Sequence, residues 1–164
     1  MTDWNSIVLA HGPMVFGTAW RILGHAADTE DVVQEVFLEA YRLRAESVRH
    51  WGGLLRRLAA CRALDRLRQR KPFHSLNGLH VPSRNGDPEA AAIGNELARR
   101  LREAIGQLPE REAQVFCLRY FEDLSNQEIA ETLHTSSGAV GVALHKARAK
   151  LEELLTETKT GGQP

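Results

Sequence analysis

The chain has 164 residues, and its 21 Lys+Arg balance 21 Asp+Glu; with 43% hydrophobic and 26% charged residues it has the make-up of an ordinary globular protein, which excludes wholesale disorder. Its longest apolar runs are a few residues, far short of the roughly 20 a membrane helix needs, and no basic-then-apolar leader opens it, so membrane insertion is not expected. Two cysteines, Cys61 and Cys117, lack a CxxC partner, which excludes a disulfide scaffold and points to a reducing, cytoplasmic setting.

Neutrality hides a sorted distribution. From Asp28 to Glu39 there are five acids (Asp28, Glu30, Asp31, Glu35, Glu39) and no base. From Arg56 to Lys71 there are seven bases against Asp65 alone, a net of plus six. A basic stretch of this density suits a polyanion and an acidic helix suits a basic protein partner; the plain alternative is two solvated helix faces.

Strand signals are nearly absent and helical periodicity runs throughout, so the expected fold class is all-α. A first helical unit spans 1–71. Residues 72–95 read as a linker: three prolines and the turn pairs Asn77-Gly78 and Asn85-Gly86 fall between Pro72 and Pro88, although helical patterning resumes near Glu89. A second helical unit covers 96–156, and 157–164 form a polar, frayed tail.

In the first unit, Asp28 and Glu30 load acid onto a helix start. Val33, Val36, Phe37 and Ala40 make a stripe at helical spacing, expected to be buried. Asp31, Gln34, Glu35 and Leu38 repeat that spacing on a second face, the pattern of a docking surface for a basic partner. Along the next helix Leu54, Leu58, Cys61 and Leu64 are expected to face inward. Arg62, Arg66 and Arg70 then fall on one exposed row, with Arg57 and Arg68 flanking, a spacing suited to phosphates. Trp51, beside a Gly52-Gly53 turn, is either core or a platform for an unpaired base.

In the second unit Leu97, Leu101, Ile105 and Leu108 form a stripe, and Pro109 opens the next helix. Ser125 and Glu128 make a capping box before a short helix that ends by Leu133. After His134-Thr135, Ser136 and Ser137 are placed to cap a helix whose Val140, Leu144, Ala147 and Leu151 recur on one side. A short capped helix, a tight turn and an amphipathic helix make a helix-turn-helix pattern. No Cys/His pair has zinc-ligand spacing, and no phosphate loop, G-x-S-x-G or carboxylate–histidine arrangement occurs, so no metal, cofactor or catalytic residue is expected.

These segments resemble a known family. Glu30–Leu38 is similar to the core-binding helix of region 2 of bacterial sigma factors, Leu55–Arg68 to the adjoining helix that reads the melted −10 element, and Leu108–Arg148 to region 4, whose helix-turn-helix enters the −35 major groove. With regions 2 and 4 alone, the chain resembles the extracytoplasmic-function (ECF) class. The resemblance implies a non-enzymatic initiation factor, with core RNA polymerase, promoter DNA and an anti-sigma factor as partners. It places polymerase binding on Asp31, Gln34, Glu35 and Leu38, and −10 contacts on Trp51, Arg57, Arg62, Arg66, Arg68 and Arg70. For −35 contacts it implies Ser136, Ser137, Ala139, Ala143, His145, Lys146 and Arg148.

Four positions depart from the family pattern. Cys61 stands where Asn is usual, His134 where the turn has Gly, and Gly141 and Ala143 where the recognition helix carries Lys and Arg. Recognition at −35 is then expected to lean on backbone amides, apolar contact with thymine methyls and DNA shape. A competing expectation is a sigma-like interaction protein that binds polymerase or a sigma antagonist without initiating at promoters.

Overall fold

The computed structural model describes residues 3–43, 48–70 and 88–160, with side chains to 157. Among them lie seven helices: α1 Trp4–Leu23, α2 Ala26–Arg42, α3 Trp51–Gln69, α4 Pro88–Gly106, α5 Glu110–Tyr120, α6 Asn126–Leu133 and α7 Ser137–Thr160. None is long and apolar enough to cross a membrane.

Helices α1 to α3 form a mutually packed trio around Val15, Ile22, Val32, Val36 and Leu55, all fully buried. Burying one such side chain contributes about 1.5–3 kcal/mol relative to leaving it in water. The turn from α1 to α2 is tight because Gly24 adopts φ 60, where a Cβ would be strained, and its N–H reaches the Trp20 carbonyl at 2.7 Å. His25 then caps α2 through Nδ1, which accepts from the Asp28 N–H at 3.2 Å. Pro13 lies inside α1 on its exposed side, where the missing hydrogen bond faces water.

Helices α4 to α7 make the second unit around Ile105, Leu108, Leu118, Ile129 and Val140. The two units touch: α4, α5 and α6 all pack on α3, and one continuous apolar cluster runs through both.

Several sequence expectations shift. On α2, Val36 and Ala40 are buried, but Val33 and Phe37 are only half-buried, while Thr29 and Val32 complete the inner stripe. On α3, Leu58 and Leu64 point inward as expected, whereas Leu54 and Cys61 are half-buried; Leu55, Ala59, Ala60, Ala63 and Leu67 are buried instead. The reason is position: α3 is covered by α1, α2 and the second unit at once, so its small residues are enclosed on several sides. Residues 88–95, assigned to the linker, belong to α4, and 157–160, assigned to the tail, continue α7. The stripe of α4 is buried at Ile105 and Leu108 but leaves Leu97 exposed. Residues 72–87 of the linker and 161–164 of the tail lie outside the described residues.

Candidate functional site

The outer face of α2 emerges as the spacing indicated. Asp31, Gln34, Glu35 and Leu38 are all exposed, Leu38 to 52%, although Asp31 and Glu35 lean towards Arg66 of α3. Tyr41 and Leu43 extend the exposed apolar surface towards the end of the helix.

The arginines of α3 are placed differently from the expected free row. Arg62 donates to both Glu39 oxygens, Nε at 2.8 Å and Nη2 at 3.0 Å, and through Nη1 to Asp65 at 3.0 Å. Arg66 donates to Glu35 at 2.7 Å and to Asp31 at 3.4 Å, and Asp28 lies 3.7 Å away. Arg70 reaches Asp28 at 2.9 Å and the Leu23 carbonyl at 2.9 Å. The row is therefore a seam, with each arginine facing the acids of α2 and not open solvent. These contacts hold the Glu39 carboxyl below its usual range, chiefly through the Arg62 hydrogen bonds, and push the Arg62 and Arg66 guanidinium values up. Arg57, half-exposed, and Arg68, exposed, are the α3 arginines that pair with no carboxylate among the described residues.

Trp51 begins α3 and is half-buried, with its ring edge-on to Trp4 at 5.8 Å; Trp4 also meets Phe37 at 6.3 Å and Tyr41 at 5.3 Å. One side of Trp51 is packed and the rest is open. Gly52 and Gly53 lie in the first turn of α3 and not in a loop.

In the second unit the helix-turn-helix is built as its sequence suggests. The Ser125 N–H donates to Glu128 at 3.1 Å, and the Glu128 N–H donates to the Ser125 hydroxyl at 3.1 Å. Hydrogen bonding from the Ser125 backbone N–H, and then from the Ser125 side chain, holds the Glu128 carboxyl below its usual range. His134 takes the left-handed conformation, φ 56 and ψ 50, at the position where glycine was the family expectation. Ser136 caps α7 by accepting from the Ala139 N–H at 3.1 Å.

The exposed side of α7 carries Ser137, Gly138, Ala139, Val142, His145 and Lys146, preceded by exposed Ser136. Ala143 is a correction: it is only 8% exposed and belongs to the inner stripe with Val140, Leu144 and Ala147. Val142, 56% exposed, holds the outer place instead. The phase was readable, since 142 falls three after Ala139 and four before Lys146, while 143 falls three after Val140. Arg148 is held rather than free: Nε donates to the Tyr120 hydroxyl at 2.6 Å, and the guanidinium lies 5.4 Å from the centre of that ring.

No group of three or more His, Cys, Asp or Glu converges among the described residues. Burial pushes both thiols up, that of Cys117 most strongly.

Two family models match the chain: Sigma-70 region 2 over residues 7–73 and Sigma-70, region 4 over residues 98–151. The ECF RNA polymerase sigma factor SigW of Bacillus subtilis is 30% identical over 92% of this chain and 88% of its own length. The RNA polymerase sigma-H factor of Pseudomonas aeruginosa is 30% identical over 93% and 86%. Among solved structures, CnrH in complex with the cytosolic domain of CnrY is similar with a TM-score of 0.62 and 24% identity, covering 94% of this chain and 88% of that one. The sigma factor RpoE of Bartonella quintana, in complex with the anti-sigma factor NepR, gives 0.56 and 17%, covering 95% and 98%.

Proposed function

This chain belongs to the sigma-70 family of RNA polymerase sigma factors, in its ECF class, and from that premise we propose how its surfaces divide the work. It is a non-enzymatic initiation factor that binds core RNA polymerase and promoter DNA. The outer face of α2, with Asp31, Gln34, Glu35 and Leu38, is the docking surface for polymerase. The observation that carries this assignment is that the face stays exposed when both units are folded together, and that no helix of the second unit packs on α2 strongly enough to cover it.

Around α3, Arg57, Arg68 and the open side of Trp51 are the first groups available to the −10 strand. Arg62, Arg66 and Arg70 join them only by exchanging a carboxylate for a phosphate. The exposed side of α7 serves the −35 element: Ser136, Ser137, His145 and Lys146 provide polar contacts, and Ala139 and Val142 provide surface for thymine methyls. Arg148, braced on Tyr120, suits the DNA backbone more than a base edge. The chain works in the cytoplasm, and an anti-sigma factor is its expected regulator, in keeping with the named complex of the Bartonella relative.

Runoff transcription with core polymerase and a library of two-part promoters tests this reading. Initiation from one shared bipartite motif is the expected result. Binding to core without initiation anywhere in the library would instead favour the interaction-protein reading, to which the weakly polar face of α7 lends some weight.

A further inference from the structure

The α5–α6 turn sends one acidic side chain into the first unit. Glu122 is only 1% exposed, yet it is a carboxylate. It accepts from the Thr18 hydroxyl and from Arg21, whose Nε lies at 2.9 Å and whose Nη2 also donates to it; Arg56 Nε stands 3.9 Å away. Arg56 Nε is buried and makes no hydrogen bond, so the Glu122 carboxylate is its charge partner. The turn that aims Glu122 is itself fixed. Asp123 adopts φ 56, the Leu124 N–H donates to the Leu118 carbonyl at 3.1 Å, and Arg119 donates to the Leu124 carbonyl at 3.0 Å.

A second arginine fastens the units from the other side. Arg102 of α4 donates to the Ile22 carbonyl at 3.0 Å and to the Arg21 carbonyl at 3.1 Å, two of the unpaired acceptors at the C-terminus of α1. Between these fastenings Gln114 donates to the Cys61 sulfur at 3.5 Å, and Gly106 lies so close to α3 that a Cβ there would meet the Leu67 carbonyl oxygen at 3.3 Å. A buried charge is tolerated only where its partners are assembled, so these polar contacts specify one docked arrangement better than apolar contact alone does.

We infer that Glu122, with Thr18, Arg21 and Arg56 as its socket and Arg102 as a second fastening, is a latch that holds regions 2 and 4 together in the free chain. The inference rests on the promoter reading above for its purpose. Two promoter elements a helical turn or more apart are separated by at least about 34 Å, whereas Gln114 of region 4 touches Cys61 of region 2. The latched chain covers the side of α3 that carries Arg56, Cys61 and Leu67 but leaves α2 open, so it can meet polymerase before it opens onto DNA.

Cys61 lies in the seam between the units and reports its opening, while Cys117 is enclosed in the region 4 core. The experiment measures N-ethylmaleimide modification of Cys61 in the full chain, with Cys61→Ser as the background, alongside small-angle scattering. Glu122→Gln keeps the shape and removes the charge; Arg102→Met removes the second fastening without touching the first. Each is expected to raise the Cys61 rate by about tenfold and to enlarge the radius of gyration, with helix content preserved, because the first leaves Arg56 without its charge partner and the second leaves two α1 carbonyls without their donor. In parallel runoff assays Glu122→Gln is expected to need less sigma chain for half-maximal initiation. Wild-type thiol rates and scattering in both variants would overturn the latch and leave promoter initiation intact. Variants that open but initiate nowhere, with a wild-type chain that does not initiate either, would overturn the promoter reading and not the latch.

Discussion

Val142 and Ala143 show how finely a helix assigns roles. Both are small, apolar and adjacent, yet one is 56% exposed and the other 8%. Val142→Asp is expected to cut −35-dependent initiation several-fold, by removing methyl contact and adding charge repulsion, while leaving the melting temperature within about 2 °C of wild type. Ala143→Asp, which buries a charge among Val140, Leu144 and Ala147, is expected to unfold the helix-turn-helix, read as lost helix signal on heating. Leu38 offers an equally clean test on α2. Reversing Asp31 and Glu35 is a poorer one, because Glu35 lies 2.7 Å from Arg66 and reversal would place like charges against it. Leu38→Arg touches none of that seam. It is expected to weaken polymerase binding at least about tenfold, a difference of about 1.4 kcal/mol, with unchanged thermal stability.

At the scale of elements, the pairing of α2 with α3 has a pH signature. The Arg62 hydrogen bonds hold Glu39 below its ordinary value, so the folded state binds the proton less tightly than the unfolded chain does. The stabilisation from this pair is therefore complete above the ordinary carboxylate range and is lost as pH falls through the folded value. Both partners are about one-third exposed, so solvent screening keeps the effect modest. Urea unfolding of wild type and Glu39→Gln is expected to differ most at neutral pH and to converge in acid. A gap that persisted unchanged into acid would assign the effect to packing. Helix existence was legible here from periodicity, and the Ser125–Glu128 box was legible from two letters at the right spacing. What covers α3 was not: periodicity says that Leu58 and Leu64 face inward, but not that a second unit meets Cys61 and Leu67 from outside.

The whole molecule repeats that lesson over longer distances. Composition and order gave two helical units, and charge sorting gave an acidic and a basic segment. Their mutual pairing depends on contacts 23 to 42 residues apart, and the Glu122 socket on contacts 101 and 104 residues apart. No local signal marks such partners. Glu122 reads in sequence as an ordinary turn acid, and only the fold shows it inserted between α1 and α3. His134 is the opposite case, since the resemblance to the family implies glycine there and the chain adopts the left-handed conformation without it.

The seam between α2 and α3 means that Arg62, Arg66 and Arg70 carry their own counterions, covalently attached. When an ordinary basic helix binds DNA, each neutralised phosphate releases mobile cations, and log K falls by about 0.9 per phosphate for each unit of log salt. Here much of the exchange is carboxylate for phosphate within one molecule, so the free chain should bind random duplex weakly and with a shallow salt slope. Asp31→Asn with Glu35→Gln, which leaves Arg66 with its more distant Asp28 contact, is expected to steepen that slope by up to about 0.9 in fluorescence-anisotropy titrations. The acidic helix would thus act as a toll on indiscriminate DNA, met only where polymerase and an opened promoter supply the phosphates together.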